Sequence, residues 1–207
     1  MKYFKQTMSI SIMLSLLSGL LSSGFVYAEN AKRYARFDNK GKLIRPTGYR
    51  EWIFTGAPLT PNELNNGKAA FPEFHSVYID PASWAHWKKT GEFRDGTLII
   101  KELVSVGSKS AASGKGYFMG EYIGLEAMVK DKKRFSAADK HWGFFRFTKE
   151  EHPTEDQHSL HKTSQVNKSE SCAACHSANA KHDLVFLQYY PVLRAGQGTG
   201  EKGTGGK

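Results

Sequence analysis

The sequence predicts an α+β fold, a predominantly antiparallel β-sheet with short helices attached, and three observations carry that expectation. Five stretches are dense in aromatic and β-branched residues: Tyr49 to Gly56, Phe74 to Ile79, Thr97 to Val106, Gly116 to Lys130 and His141 to Thr148. They are separated by Gly, Asn, Asp and Pro rather than by long amphipathic repeats. Helix signals are few and short, and the strongest of them falls near the C-terminus.

In chain order, Met1 to Ala28 reads as a secretory signal peptide. Lys2 and Lys5 precede an apolar run from Ile10 to Leu21, and Val26-Tyr27-Ala28 is a small-residue cleavage site. The run is too short and wrongly flanked for a stable membrane span, and no other stretch is long and apolar enough to cross a bilayer. The mature chain is therefore expected in an extracytoplasmic space, the periplasm of a Gram-negative cell. Losing two lysines takes the formal charge from +9 to +7. That surface suits an acidic redox partner or an anionic membrane surface. The lysines are scattered, and no basic helix or aromatic RNA-binding motif occurs, which argues against nucleic-acid binding.

Residues 29–195, with 13% aromatics in the whole chain, suffice for one domain with a real core. Thr60-Pro61-Asn62-Glu63 has capping-box spacing with Pro at the first helical position, predicting a short helix. Asp80-Pro81 opens a second helix that Gly91 closes. Lys149 to Glu170 is polar and predicts a loop. Cys172 onward and Asp183 to Ala195 predict C-terminal helices, the latter bent or ended near Pro191. Residues 196–207, rich in Gly, Lys and Thr, predict a disordered tail.

The stretch Cys172-Ala173-Ala174-Cys175-His176 holds the only two cysteines. Two cysteines three apart with histidine directly after the second form the haem c attachment signature: each thiol adds to a haem vinyl group, and His176 is placed to bind the iron. The competing reading is a Cys172–Cys175 disulfide, but a thioredoxin-type pair belongs early in a βαβ unit and has no need of the histidine. A zinc site would want a second ligand pair. Only Met119 and Met128 could supply a methionine sixth ligand from the mature chain, and methionines in strands are usually core. His152, His158 and His161 lie in loops, where a histidine is usually solvated. The expectation is an iron with an open or water-filled sixth position, suited to small-molecule chemistry rather than simple electron carriage.

Three ionisable residues stand out on apolar strands. In Thr97 to Val106, alternation puts Ile99, Lys101 and Leu103 on one face and Ile100, Glu102 and Val104 on the other. If one face is solvated, one of these charges is surface and the other points into something; a lysine snorkelling from a half-exposed strand gives the same pattern. In Tyr122 to Met128, Glu126 shares a face with Tyr122, Gly124 and Met128. A carboxylate near a haem could accept protons if burial raised its pKa, and a surface carboxylate at a strand end is the alternative. Gly120 and Gly124 would let a flat macrocycle approach that face. Phe71, Phe74 and His75 open another strand, where aromatics serve either core or lid. Trp84, Trp87 and Trp142 are expected in the core or an interface.

Taken in order, Tyr49-Arg50-Glu51-Trp52, Leu59 to Asn65, Val77 to Pro81, Lys89 to Thr97, Lys101 to Gly107, Gly116 to Gly120, the late CAACH and Gln188 to Arg194 resemble the cytochrome P-460 family with its cytochrome c′-beta relatives. The resemblance implies a β-rich homodimer with one haem c per subunit, a five-coordinate iron on His176, and a periplasmic setting in ammonia- or methane-oxidising bacteria. It implies oxidation of hydroxylamine, with Lys101 bonded covalently to the macrocycle beyond the two thioethers and Glu126 as the distal carboxylate that takes protons from substrate. Electrons would pass to an external acceptor, a small periplasmic cytochrome, with nitrous oxide or nitrite as product. The c′-beta branch lacks the lysine cross-link, has a phenylalanine-capped distal pocket and binds nitric oxide. Lys101 and Glu126 favour the enzyme branch; Phe71 and Phe74 keep the binding branch open, with His75 placed in the same distal pocket.

Overall fold

The aromatic and β-branched runs pair in the order in which they occur along the chain. The computed structural model describes residues 32–147 and 160–199; the expected leader and the histidines at 152 and 158 lie outside them. The strands are β1 (Leu43–Ile44), β2 (Ile53–Gly56), β3 (Phe74–Ile79), β4 (Leu98–Val106), β5 (Ser110–Ala111), β6 (Gly114–Lys115), β7 (Met119–Lys130), β8 (Trp142–Phe147) and β9 (Thr163–Ser164). The helices are α1 (Pro81–Thr90), α2 (Cys172–Asn179) and α3 (Pro191–Gly196). The main sheet has the order β2-β3-β4-β7-β8 with every pair antiparallel; β1 pairs with β9 and β5 with β6. The fold is α+β, mostly antiparallel sheet with three short helices. No helix among the described residues is long and apolar enough to cross a membrane.

Both faces of the sheet are covered, which explains why β4 reads as an almost unbroken apolar run. On the front, Val77, Ile79, Ile99, Met128, Trp142 and Phe144 pack beneath Trp87 of α1, Ala173 of α2 and Leu193 of α3. On the back, Leu98, Ile100, Leu125, Ala127, Val129, Phe145 and Phe147 pack with Leu43, Tyr49 and Leu160. Trp87 is fully enclosed, stacks on Phe93 at 4.3 Å and donates its indole hydrogen to Leu193 O at 2.8 Å, joining α1 to α3. Trp142 is equally buried.

Helix α1 starts and stops as its sequence requires. The Asp80 carboxylate accepts from Ser83 N at 2.8 Å as the N-cap and from Leu98 N at 2.8 Å, so one buried residue fixes both the helix and the start of β4. Gly91 closes the helix at φ 76°.

Other expectations are corrected. Tyr49–Glu51 form a 3-10 turn, and the strand begins only at Ile53, because Tyr49 and Arg50 turn their polar ends to Glu102 on the back face. The capping box at Thr60 does not form: Thr60 Oγ1 donates to Phe71 O, Glu63 pairs with Lys109, and only one 3-10 turn, Asn62–Leu64, results. Residues 110–115 fold into the small β5–β6 hairpin, so the strand expected from Gly116 starts at Met119. Asp183 to Ala195 is not one helix. Asp183 and Leu184 take left-handed backbone angles, Leu187–Tyr189 form a 3-10 turn, and Pro191 opens α3 instead of ending a helix, since its missing N–H costs nothing there. Of the expected loop, Leu160 is buried and Thr163–Ser164 form β9. Of the expected tail, Gly196 is buried: a Cβ there would stand 2.1 Å from the Trp84 ring, so helix and indole meet only because the side chain is absent. Residues 200–207 lie outside the described part.

Candidate functional site

Alternation along the central strands builds one row of opposed residues on the front face: Val77, Lys101, Glu126 and Arg146, from β3, β4, β7 and β8 in turn. Lys101 Nζ lies 2.5 Å from Glu126 Oε2, and Arg146 Nε lies 3.3 Å from Glu126 Oε1. Lys101 and Glu126 are 24% and 21% exposed, so neither is a freely solvated surface charge. The Glu126 carboxylate therefore meets two cations. Arg146 was not singled out by sequence reading, although its parity with Trp142 and Phe144 along β8 is the signal that places it here.

The question left by β4, which of its two charges is buried, has an unexpected answer: both faces are interior. On the back, Glu102 is 5% exposed and accepts from Tyr49 Oη at 2.9 Å and Arg50 Nε at 2.7 Å. The partners of Glu102 come from the back layer, with Arg50 reaching it from the solvent side.

At the same row, Lys101 Nζ sits 4.5 Å from the centre of the Phe71 ring, and Phe71 meets His75 edge to face at 5.7 Å. His75 faces forward opposite Leu103. Its Nε2 is enclosed with no hydrogen-bond partner among the described residues, and burial, reinforced by the positive charge of Lys101 and opposed by Glu126, pushes its pKa down to about 4. Between its ordinary value of 6.5 and about 4, the unfolded chain takes up a proton that the folded chain refuses. Stability from this residue is therefore complete above pH 6.5 and declines as pH falls through that window. Thermal unfolding midpoints from pH 7 to pH 4 should drop more steeply in the wild type than in His75→Gln; equal slopes would show that the ring is not shielded.

Two residues expected here are elsewhere. Phe74 lies opposite Val104 and, by alternation, faces the back, away from His75. Tyr122 also pairs with Val104, because the register slips by one residue at Ile123; the bulge turns Tyr122 to the back core while Gly124, Glu126 and Met128 stay in front. Gly120 is required for a different reason than an approaching macrocycle: a Cβ there would come 2.9 Å from Gly107 Cα, where the two strands cross. Met128 is core and Met119 is exposed.

The same front face receives α2. Cys172 and His176 are four residues apart and so share one side of the helix. Cys172 is partly buried and Cys175 exposed, and the two are not bonded to each other. Asn167 Nδ2 approaches Cys172 Sγ at 3.4 Å. The His176 ring lies between Phe144, at 4.7 Å, and Phe186, at 4.6 Å. Its Nδ1 donates to Leu184 O at 2.7 Å, which fixes the tautomer and leaves Nε2 with its lone pair. Burial lowers the pKa of His176; the Leu184 carbonyl works against that, and the charge of Lys101 adds to it. Tyr190, also missed from sequence, is pushed up to about 12, by burial first and by the Glu126 carboxylate second.

This donor set fits haem c. Two free thiols and a neutral imidazole with one nitrogen committed and one available are the groups that attachment and axial ligation need. The apolar residues of the front face suit a macrocycle, and the orphaned Nε2 of His75 marks a polar group awaiting a partner. Compared with known proteins, residues 46–187 match the family model described as Cytochrome P460. Comparison with curated proteins gave no match.

Proposed function

The chain belongs to the cytochrome P460 family, and on that premise we propose that it is a periplasmic haem c enzyme that oxidises hydroxylamine to nitrous oxide or nitrite and passes the electrons to a small cytochrome. The family carries haem c and is associated with haem oxidoreductase activity. The observation that supports the finer reading most directly is the Lys101–Glu126–Arg146 row on the face that also receives His176.

In this reading Cys172 and Cys175 would hold the haem through thioethers and His176 Nε2 would bind its iron. The haem supplies an iron that draws electrons from the substrate. Hydroxylamine gives up protons as it gives up electrons, and Glu126 is the group placed to take them, with Arg146 and Lys101 holding its carboxylate in position. Lys101 is the residue that would hold the macrocycle by a third bond, Phe71 walls the pocket beside it, and His75 Nε2 faces the same space as a neutral imidazole. The alternative is a nitric-oxide binding cytochrome of the c′-beta type, and the Phe71 ring packed against Lys101 is the observation in its favour.

Mass spectrometry of proteolysed holoprotein separates the two. The enzyme reading expects haem in one cross-linked species containing Cys172, Cys175 and Lys101, from a protein that turns over hydroxylamine with an added oxidant. Haem held by the two sulfurs alone, with Lys101 a free amine and no turnover, would establish the binding protein instead.

A further inference from the structure

The carbonyl that receives the His176 Nδ1 hydrogen belongs to Leu184, and it is presented by an unusual turn. Asp183 and Leu184 both adopt left-handed backbone angles, φ 46° and 60°, which residues with a Cβ avoid unless their surroundings impose them. On one side the turn is held by the burial of Leu184 and Val185 and by Val185 N donating to His182 O at 2.7 Å. On the other side it is held by charge: Asp183 Oδ2 lies 2.6 Å from Lys130 Nζ, with the two side chains only 15% and 11% exposed.

Lys130 is a rigid anchor. It ends β7 opposite Trp142, its N–H donates to Thr97 O at 2.9 Å, its carbonyl accepts from Gly96 N at 2.7 Å, and its ammonium lies 5.1 Å from the centre of the Trp142 ring. We propose that the Lys130–Asp183 ion pair is a positioning device for the axial histidine, tying the strained turn to the sheet so that Leu184 O takes the Nδ1 hydrogen of His176 and sets the electron-donating strength of the ring. The proposal rests on the haem c reading above. A firm Nδ1 hydrogen bond makes the imidazole a stronger donor, which favours the oxidised iron and strengthens the iron–nitrogen bond.

The test uses holoprotein carrying Asp183→Asn, and separately Lys130→Met together with Asp183→Asn. The double variant leaves no unpaired buried charge and so keeps the test open if the single one fails to fold. The readouts are the iron–histidine stretch of the ferrous protein by resonance Raman and the reduction potential. The expected result is a lower stretching frequency and a higher potential in both variants, with wild-type values retained in Lys130→Arg. Variants that load haem normally and keep both wild-type values would overturn the proposal and leave core packing as the turn's support. A wild-type protein that carries no haem would instead sink the haem reading. The ¹⁵N shifts of the His176 ring, which distinguish its tautomers, then decide the role of the pair: a shift from Nδ1–H to a mixture in the variants supports it, and no change refutes it.

Discussion

Replacing Glu126 with glutamine should slow hydroxylamine oxidation by about 10²–10⁴-fold, the range by which a positioned proton acceptor accelerates a reaction, while leaving haem attachment intact. Glutamine keeps the shape of the side chain and can still accept from Arg146, but it holds no negative charge to draw a proton from substrate. The row stays folded because its backbone register is set by β4, β7 and β8 and not by the carboxylate. Helix α2 is held elsewhere on the front core through Ala173 and Cys172, so the yield of haem-loaded protein should match the wild type. Steady-state rates with a chemical oxidant, normalised to haem, check this. A variant at full speed would remove Glu126 from the chemistry and leave it as a counter-ion to Lys101.

Replacing Lys101 with methionine should have an effect at least as large on turnover, and a spectroscopic one besides. The variant is expected to carry haem through two thioethers only, to show the absorption of an ordinary c-type haem, and to lose hydroxylamine oxidation by about two orders of magnitude or more, as for loss of the base. The fold should survive, since exchanging a partly exposed ion-paired lysine for an apolar side chain of similar length costs little. Glu126 would keep Arg146 as its partner. Lys101→Arg is the control: it keeps the cation beside Glu126 and the contact with Phe71 but offers no lysine amine. An arginine variant as active as wild type would show that charge, and not covalent attachment, is what Lys101 provides.

Much of this was legible from local pattern. The CAACH motif is contiguous, so two thiols and an imidazole of haem c spacing can be read without knowledge of the fold. Alternation along β4 placed Lys101 opposite in face to Glu102, and the register confirms that parity. Asp80 and Gly91 marked the ends of α1 correctly because caps satisfy backbone groups within a few residues. Alternation failed at Tyr122, since a bulge inserts one residue and reverses every face beyond it, and nothing in Glu121-Tyr122-Ile123-Gly124 announces where the ladder slips. Phe74 was misplaced for a simpler cause: it and His75 are neighbours in sequence and therefore opposite in a strand.

By itself, then, the chain's order of residues determined the CAACH motif, the strand content and the faces on which Lys101 and Glu102 stand, because each of these depends on spacing over a few residues. Only the tertiary structure decided that both faces of the sheet are interior, that Arg146 shares Glu126 with Lys101, that His75 Nε2 has no hydrogen-bond partner among the described residues, and that a strained turn offers Leu184 O to His176. Those outcomes come from strands and loops far apart in sequence meeting across a packed layer, where burial and charge pairing are set by what the neighbour supplies and not by the residue itself.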